Sequence, residues 1–414
     1  MPNEPTVVVL GAGFGGIGAM KTLEKSPINL RLVDKNDYHT FLPLLYQVAT
    51  SELSPAQVGF PAREMLHHRQ EWTFEQANIT GIDLGARKVL ADGIDPISYD
   101  YLIVGLGAVA NFFGTKGAAE HAFPLYAMRD AERLKDQIID RFEATQRDPA
   151  LIEDGSLTFA VVGGGATGVE ISGALAELIS EELREDYPDL PVERAEVHLF
   201  EFGPSLLAPF KAQLQKYAQK ALEERGVHVH LGEGVTEIAP TRVRLHSGSE
   251  VKAHTLIWGA GIAANPIAAS LGVELEKGRV PVNPDLSLPG HPEVFVIGDI
   301  AMITDAKTKA QLPQLGSVAQ QAGQHAGESI DRLVHGKRTE PFEYVDKGTM
   351  ATVGHGAAVV QFRRGRTMTG HAAWMTWLGV HLMLLSGGEQ KALTFTDWGL
   401  EILTHKRRKR AVVA

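Results

Sequence analysis

The chain has 414 residues, 44% of them hydrophobic and 22% charged, which is room for two or three ordinary folded domains. A formal net charge of −10 argues against nucleic acid as a partner for the body of the protein. The absence of cysteine excludes disulfides, a cysteine-held iron–sulfur cluster and any thiol redox relay.

In chain order, the first segment runs from Met1 straight into an apolar strand, Thr6–Leu10, with no sign of a leader peptide before it. Gly11-Ala12-Gly13-Phe14-Gly15-Gly16 follows, then a helical stretch to about Lys25, then Asn29–Val33 ending on Asp34 and Lys35. A helix is expected from Asp130 to about Thr145. The first plan then returns: Leu157–Val162, Gly163-Gly164-Gly165-Ala166-Thr167-Gly168, a helix to about Leu183, and Glu196–Phe200 ending on Glu201. Each block reads as strand, glycine turn, helix and strand, the unit of a parallel sheet.

Spacing gives the glycine turns a chemical meaning. The first glycine makes the turn, the second lets backbone approach a pyrophosphate, and the third packs helix on strand. The helix N-terminus faces the phosphates, and an acid after the second strand takes ribose hydroxyls. Asp34 lies 23 residues after Gly11, close to the usual spacing of about 20. Glu201 lies 38 residues after Gly163, and a polar insertion at 181–194 accounts for the excess. Further along, Glu293–Ile297 forms an apolar strand that closes on Gly298-Asp299, where an aspartate either caps a helix or takes the ribitol hydroxyls of an extended flavin nucleotide.

These features resemble the flavoproteins with two dinucleotide-binding domains, the first block holding FAD and the inserted block NAD(P)H. Val104-Gly105-Leu106-Gly107-Ala108 and Trp258-Gly259-Ala260-Gly261-Ile262 resemble the crossovers of such proteins. The resemblance implies an α/β fold of two Rossmann-like domains. The FAD domain is expected at 1–118 and 285–340, the NADH domain at 119–284, and a membrane-associating region at 341–414. FAD contacts are expected from Gly11, Gly13, Phe14, Gly15, Gly16, Asp34, Lys35, Gly298, Asp299 and Ala319. NAD contacts are expected from Gly163, Gly165, Ala166, Thr167, Gly168, Glu170, Glu201 and Gly261. No metal site is expected.

Without cysteines the disulfide reductases and sulfide:quinone oxidoreductases are excluded, so the second acceptor must meet the flavin directly. Asn36–Ala49, Gly168-Val169-Glu170, Gly370-His371-Ala372-Ala373-Trp374 and above all Ala319-Gln320-Gln321-Ala322-Gly323-Gln324 resemble segments of the type II NADH:quinone oxidoreductases. One departure is Gly105-Leu106-Gly107, where many members carry Ala-Thr-Gly.

The resemblance implies hydride transfer from NADH to FAD, then electron delivery to a membrane quinone (ubiquinone or menaquinone) without proton pumping. A helix from about Ser317 to about Leu333 would carry Gln320 and Gln324 on one face, as residues four apart do. Their amides would donate to a quinone carbonyl, and the helix N-terminus would face the flavin pyrimidine. Glu170 either interacts with its helix dipole or shapes the junction of nicotinamide, flavin and quinone. Glu201 would repel a 2′-phosphate and favour NADH. His39 and Tyr46 read equally as core or supporting residues. Lys391, expected in a loop, reads as a solvated lysine or a basic group near the quinone entrance. A soluble NAD(P)H:acceptor flavoenzyme and a flavin-bound redox sensor are the rival functions.

The last segment departs from the acidic body. From Arg363 onward it holds nine Lys/Arg against three Asp/Glu, with no formal charge between Arg366 and Glu389. The apolar stretch 372–385 is too short to span a bilayer and reads as a core helix or a surface one. With Trp398, Leu400, Ile402, Leu403 and the cations Lys406–Arg410, it suggests a protein lying on anionic lipid at the cytoplasmic face of the cell membrane. A homodimer is also expected.

Overall fold

The computed structural model describes residues 4–67, 69 and 71–404. The elements that position the site are, in chain order, β1 (Thr6–Leu10), α1 (Phe14–Leu23), β2 (Asn29–Asp34), β3 (Thr73–Gln76), β4 (Tyr101–Val104), α2 (Met128–Arg147), β5 (Thr158–Val162), α3 (Ala166–Glu177), β6 (Glu196–Glu201), α4 (Ala212–Glu223), β7 (Val227–Leu231), β8 (Thr255–Trp258), β9 (His291–Val296), α5 (Gly316–Val334), β10 (Thr349–Gly354), β11 (Ala357–Gln361), α6 (Gly370–Leu384) and α7 (Gly388–Thr404).

The chain forms two compact units, 1–39 with 60–109 and 262–346, and 40–59 with 110–261 and 347–414. Two of their boundaries fall at Val109/Ala110, just after the first glycine crossover, and at Gly261/Ile262, within the second, where 118/119 and 284/285 were expected. The C-terminal segment forms no third unit, because β10 and β11 pack with α3 and α4 of the second one and α6 packs on β11.

In the first unit β9, β4, β1, β2 and β3 lie side by side in that order, all parallel, and Ser287–Leu288 adds an antiparallel edge. Val7–Leu10, Leu102–Val104 and Val294–Ile297 are fully buried, as continuous apolar runs should be in a sheet covered on both faces. Helix α1 crosses α5 at backbone distance. A Cβ on Gly18 would come within 2.4 Å of the Gln320 carbonyl, and one on Gly323 within 1.9 Å of the Gly15 carbonyl. Small residues on both helices therefore tie the start of α5 to the first glycine turn.

The second unit repeats the plan with Phe123–Pro124, β8, β5, β6 and β7 in parallel order. The insertion after α3 lengthens the helix through a π-helical turn at Leu178–Leu183. Helix α3 packs on β10, where a Cβ on Gly173 would come within 2.0 Å of the Val353 carbonyl. Among the described residues no helix is long and apolar enough to cross a membrane.

Two matched nucleotide turns

The glycine turns are near copies. Gly11 and Gly163 begin them with φ of 100° and 107°, a region that only glycine enters without strain. Gly11 N–H donates to the Val33 carbonyl and Gly163 N–H to the Phe200 carbonyl, both at 2.8 Å. The third glycines are closed: a Cβ on Gly16 would lie 2.0 Å from the Gly11 carbonyl, and one on Gly168 lies 1.8 Å from that of Gly163. Gly15 faces the Ile297 side chain and the Ala319 carbonyl, and Gly298 faces Ala319.

The middle glycines differ from all of these. A Cβ on Gly13 or Gly165 would meet no protein atom within 4 Å. Both residues are extended, with φ of −78° and −72°, and both occupy the N-cap of their helix without a side-chain cap. Each turn thus leaves free backbone donors and an open cradle at the point where a pyrophosphate has to pass. The residues fit two dinucleotides.

Each acid holds its own turn. Asp34 accepts from Ala12 N–H at 2.7 Å and Asn36 N–H at 2.8 Å. Glu201 accepts from Gly164 N–H at 2.5 Å and Gly203 N–H at 2.6 Å. A carboxylate has about four acceptor positions, so both retain capacity for ribose hydroxyls. Burial raises the Asp34 pKa, opposed by the N–H bonds from Asn36 and Ala12.

The other expected contacts are distributed as follows. Phe14 meets the His39 ring edge-on at 5.3 Å. His39 is buried, and its Nδ1 donates to the Ala12 carbonyl at 2.8 Å, since a carbonyl can only accept. Burial lowers its pKa to about 4, so it supports the turn as a neutral ring. Lys35 is exposed, and its carbonyl accepts from Gln76. Asp299 sits inside a short 3-10 turn, Gly298–Ile300, whose capping position is Ile297, so the helix-cap reading fails. Ala166 and Thr167 are exposed at the start of α3, and Gly261 lies under the Phe113 ring. Lys391 lies in the first turn of helix α7 rather than in a loop, because α7 begins at Gly388. Phe202, which its sequence context did not single out, is 75% exposed directly after Glu201.

Helix α5 separates the three motif glutamines. Gln321 uses both ends of its amide on the Val345 backbone, at 3.0 Å each way. The side-chain amides of Gln320 and Gln324 have no hydrogen-bond partner among the described residues, and both residues are half-buried. The helix cap, Leu315, makes no side-chain bond, which leaves the first-turn N–H groups available.

In the second unit Glu170 projects from α3 and accepts from Thr352 N–H at 3.3 Å. The residue as a whole is half-buried, and its carboxyl is enclosed by protein. Burial pushes the pKa up to about 8, with Thr352 and then Trp377 opposing. The Trp377 indole N–H exerts its pull without reaching full hydrogen-bond geometry. Glu170 therefore holds a proton at neutral pH. Thr352 also lines a cavity of about 30 Å³ with Tyr46, Gln47, Glu177, Trp374 and Trp398, room for one water.

Residues 5–323 match the pyridine nucleotide-disulphide oxidoreductase family. The type II NADH:quinone oxidoreductase Ndh of Mycobacterium tuberculosis is 34% identical, over 98% of this chain and 90% of the relative. The chain belongs to the type II NADH:quinone oxidoreductases. A member of that name from Staphylococcus saprophyticus is 30% identical, over 90% of this chain and 92% of its own. Among solved structures, NDH2 from Plasmodium falciparum in complex with NADH superposes with a TM-score of 0.91 at 18% identity, covering 98% of this chain and 99% of that one. Sulfide:quinone oxidoreductase from Aquifex aeolicus shares the fold at a TM-score of 0.74 and 17% identity, covering 97% and 96%. A type II NADH:quinone oxidoreductase without cysteine is thus built on a frame that a sulfide:quinone oxidoreductase also uses.

Proposed function

We propose that this chain takes a hydride from NADH through the second glycine turn and delivers two electrons to a quinone beside α5, with FAD bound at the first turn and no proton pumped. Family membership supports the overall reaction, and the contrast between Gln321 and its two unengaged neighbours carries the assignment of the quinone side. FAD supplies a centre that accepts a hydride and releases electrons to an acceptor. The chain's own residues bind, orient and manage protons.

Gly13 and the N-terminus of α1 receive one pyrophosphate, and Asp34 and Asp299 hold hydroxyls of the same nucleotide. Gly165 and the N-terminus of α3 receive the other, with Glu201 on its ribose. A 2′-phosphate beside Glu201 would bring like charges together, which favours NADH over NADPH. Gln320 and Gln324 donate neutral hydrogen bonds to a quinone carbonyl, so they orient it without trapping its reduced form as a salt bridge would. Quinone reduction consumes two protons. Glu170, protonated near neutral pH on its buried carboxyl, is a reservoir for one of them.

Gln320→Leu tests the quinone assignment through separate half-reactions. Losing one hydrogen bond costs about 0.5–1.5 kcal/mol, so reoxidation of the reduced enzyme by quinone should slow several-fold. Stopped-flow reduction by NADH should keep its wild-type rate. If reduction is impaired while reoxidation is normal, α5 serves the nicotinamide side.

The same proposal places the enzyme on the cytoplasmic surface of an anionic membrane. Helix α6 buries Ala373, Trp374, Trp377 and His381 but exposes Met375 and Met383, so the fully buried alternative fails. Helix α7 exposes Leu393, Phe395 and Leu403, the last at 79%. The cations Lys406–Arg410 lie outside the described residues. A lipid-soluble acceptor gives this apolar surface its use, and homodimerisation is the competing way to cover it. Truncation before His405 should weaken binding to anionic vesicles and flatten its salt dependence, each lost cation being worth about 1 kcal/mol at such a surface. Equal sedimentation with vesicles at every ionic strength would remove the electrostatic part.

A further inference from the structure

Away from the nucleotide turns, β6 and β7 bring together residues to which the redox reaction gives no role. They pair in parallel with His198 opposite His228 and Phe200 opposite His230. Since alternate residues of a strand share a face, Glu196, His198 and Phe200 line up beside His228 and His230. The His198 ring lies 4.8 Å from that of His228 and 5.3 Å from that of His230, and His230 stacks on Phe200 at 4.7 Å. One donor atom from each of Glu196, His198 and His228 lies within 4.8 Å of the other two. Glu196 and His228 are exposed, so an ion could enter from solvent.

We propose that Glu196, His198 and His228 form a binding site for a borderline divalent transition-metal ion such as Zn²⁺, held by one carboxylate oxygen and two imidazole nitrogens, with water in the fourth position. Two imidazoles and one carboxylate suit zinc-like ions better than Mg²⁺ or Ca²⁺, which take oxygen ligands. Tetrahedral ligands about 2.0–2.1 Å from zinc stand roughly 3.4 Å apart, so the donors close by up to about 1.4 Å on binding. Rotation of the two exposed side chains supplies that movement.

The neighbouring ring completes the arrangement. His198 sets its Nε2 3.0 Å from Glu196 Oε2 and its Nδ1 3.0 Å from His230 Nε2. In the ion-free protein a carboxylate can only accept, so Nε2 carries the proton and donates to Glu196. With the metal on Nε2, the proton sits on Nδ1 and is donated to His230 Nε2. That is the outer bond by which metal-ligating histidines are usually oriented.

Calorimetric titration of ZnCl₂ into FAD-loaded, chelator-treated protein without a histidine tag tests the site. One ion per chain is expected at pH 7. His228→Ala and Glu196→Gln, both at exposed positions, should weaken binding by more than tenfold. His230→Phe, which keeps the stack on Phe200 but removes the acceptor, should weaken it by about tenfold. His246→Ala, an exposed histidine elsewhere in the unit, should change nothing. Absence of stoichiometric binding overturns the proposal, as does equal weakening by His228→Ala and His246→Ala. Flavin content and the NADH reduction rate, recorded on the same samples, keep this result separate from the proposed redox function.

Discussion

Gly13→Val is expected to yield a folded, colourless protein. A Cβ at this position meets no protein atom within 4 Å, and the backbone is already extended at φ −78° and ψ −172°, where valine is comfortable. No protein atom therefore stands in the way of the new Cβ. The gain of about 0.4–1 kcal/mol that a compatible glycine replacement brings through the unfolded chain is offset by the poorer N-cap that valine makes. The isopropyl group instead fills the space that the FAD pyrophosphate would enter under the proposed assignment, and it stands before the N-terminus of α1. Flavin absorbance should be lost, with quinone reductase activity going with it, while far-UV circular dichroism and the melting temperature match those of wild-type apoprotein. Gly16→Val provides the contrast. Its Cβ would lie 2.0 Å from the Gly11 carbonyl, so that variant should fail to accumulate as folded protein at all. Stoichiometric FAD in purified Gly13→Val would mean that the first turn does not hold the flavin nucleotide.

The difference between those glycines shows what the sequence could carry. Glycine spacing, the apolar run before each turn and the acid after the next strand are local patterns, and both βαβ units were legible from them. The same patterns singled out Asp34 and Glu201, the acids that each hold a glycine turn. Their bonds to Ala12 and Gly164 were not legible, because they depend on how the turn folds back over the strand end. The helix expected from Ser317 was found one residue earlier, at Gly316, and the helix expected from Asp130 at Met128. What stayed hidden was set by residues distant in the chain. The raised pKa of Glu170 depends on a carboxyl enclosed near Thr352 and Trp377, far beyond its own helix. The separation of Gln321 from Gln320 and Gln324 required knowing where Val345 lies. The group of Glu196, His198 and His228 depends on strand register, since a shift of one residue would turn the histidines to opposite faces. Lys391 was misplaced because Ser386-Gly387-Gly388 reads as a loop, whereas α7 begins at its last residue.

Gly165→Val should separate the two nucleotides. The position repeats Gly13 in the second turn, with φ −72°, ψ −176° and no protein atom within 4 Å of a built Cβ. The new Cβ again meets no protein atom, so the variant should fold. The purified variant should be yellow with a full complement of FAD, because the first glycine turn is untouched. Its defect should lie in NADH alone. The side chain would push the pyrophosphate away from the N-terminus of α3 and carry the nicotinamide out of reach for hydride transfer. A misplacement of about 1 Å can cost a factor of about 10² in rate, so flavin reduction at any attainable NADH concentration should fall by at least about two orders of magnitude. Enzyme reduced chemically with dithionite, then freed of excess reductant, should still be reoxidised by a short-chain quinone at the wild-type rate, because Gln320, Gln324 and α5 are unchanged. Gly165→Ala, with a smaller intrusion, should fall between the two. If Gly165→Val is reduced by NADH as fast as wild type, the second turn is not the NADH site. If it instead loses FAD while Gly13→Val keeps it, the assignment of the two turns must be exchanged.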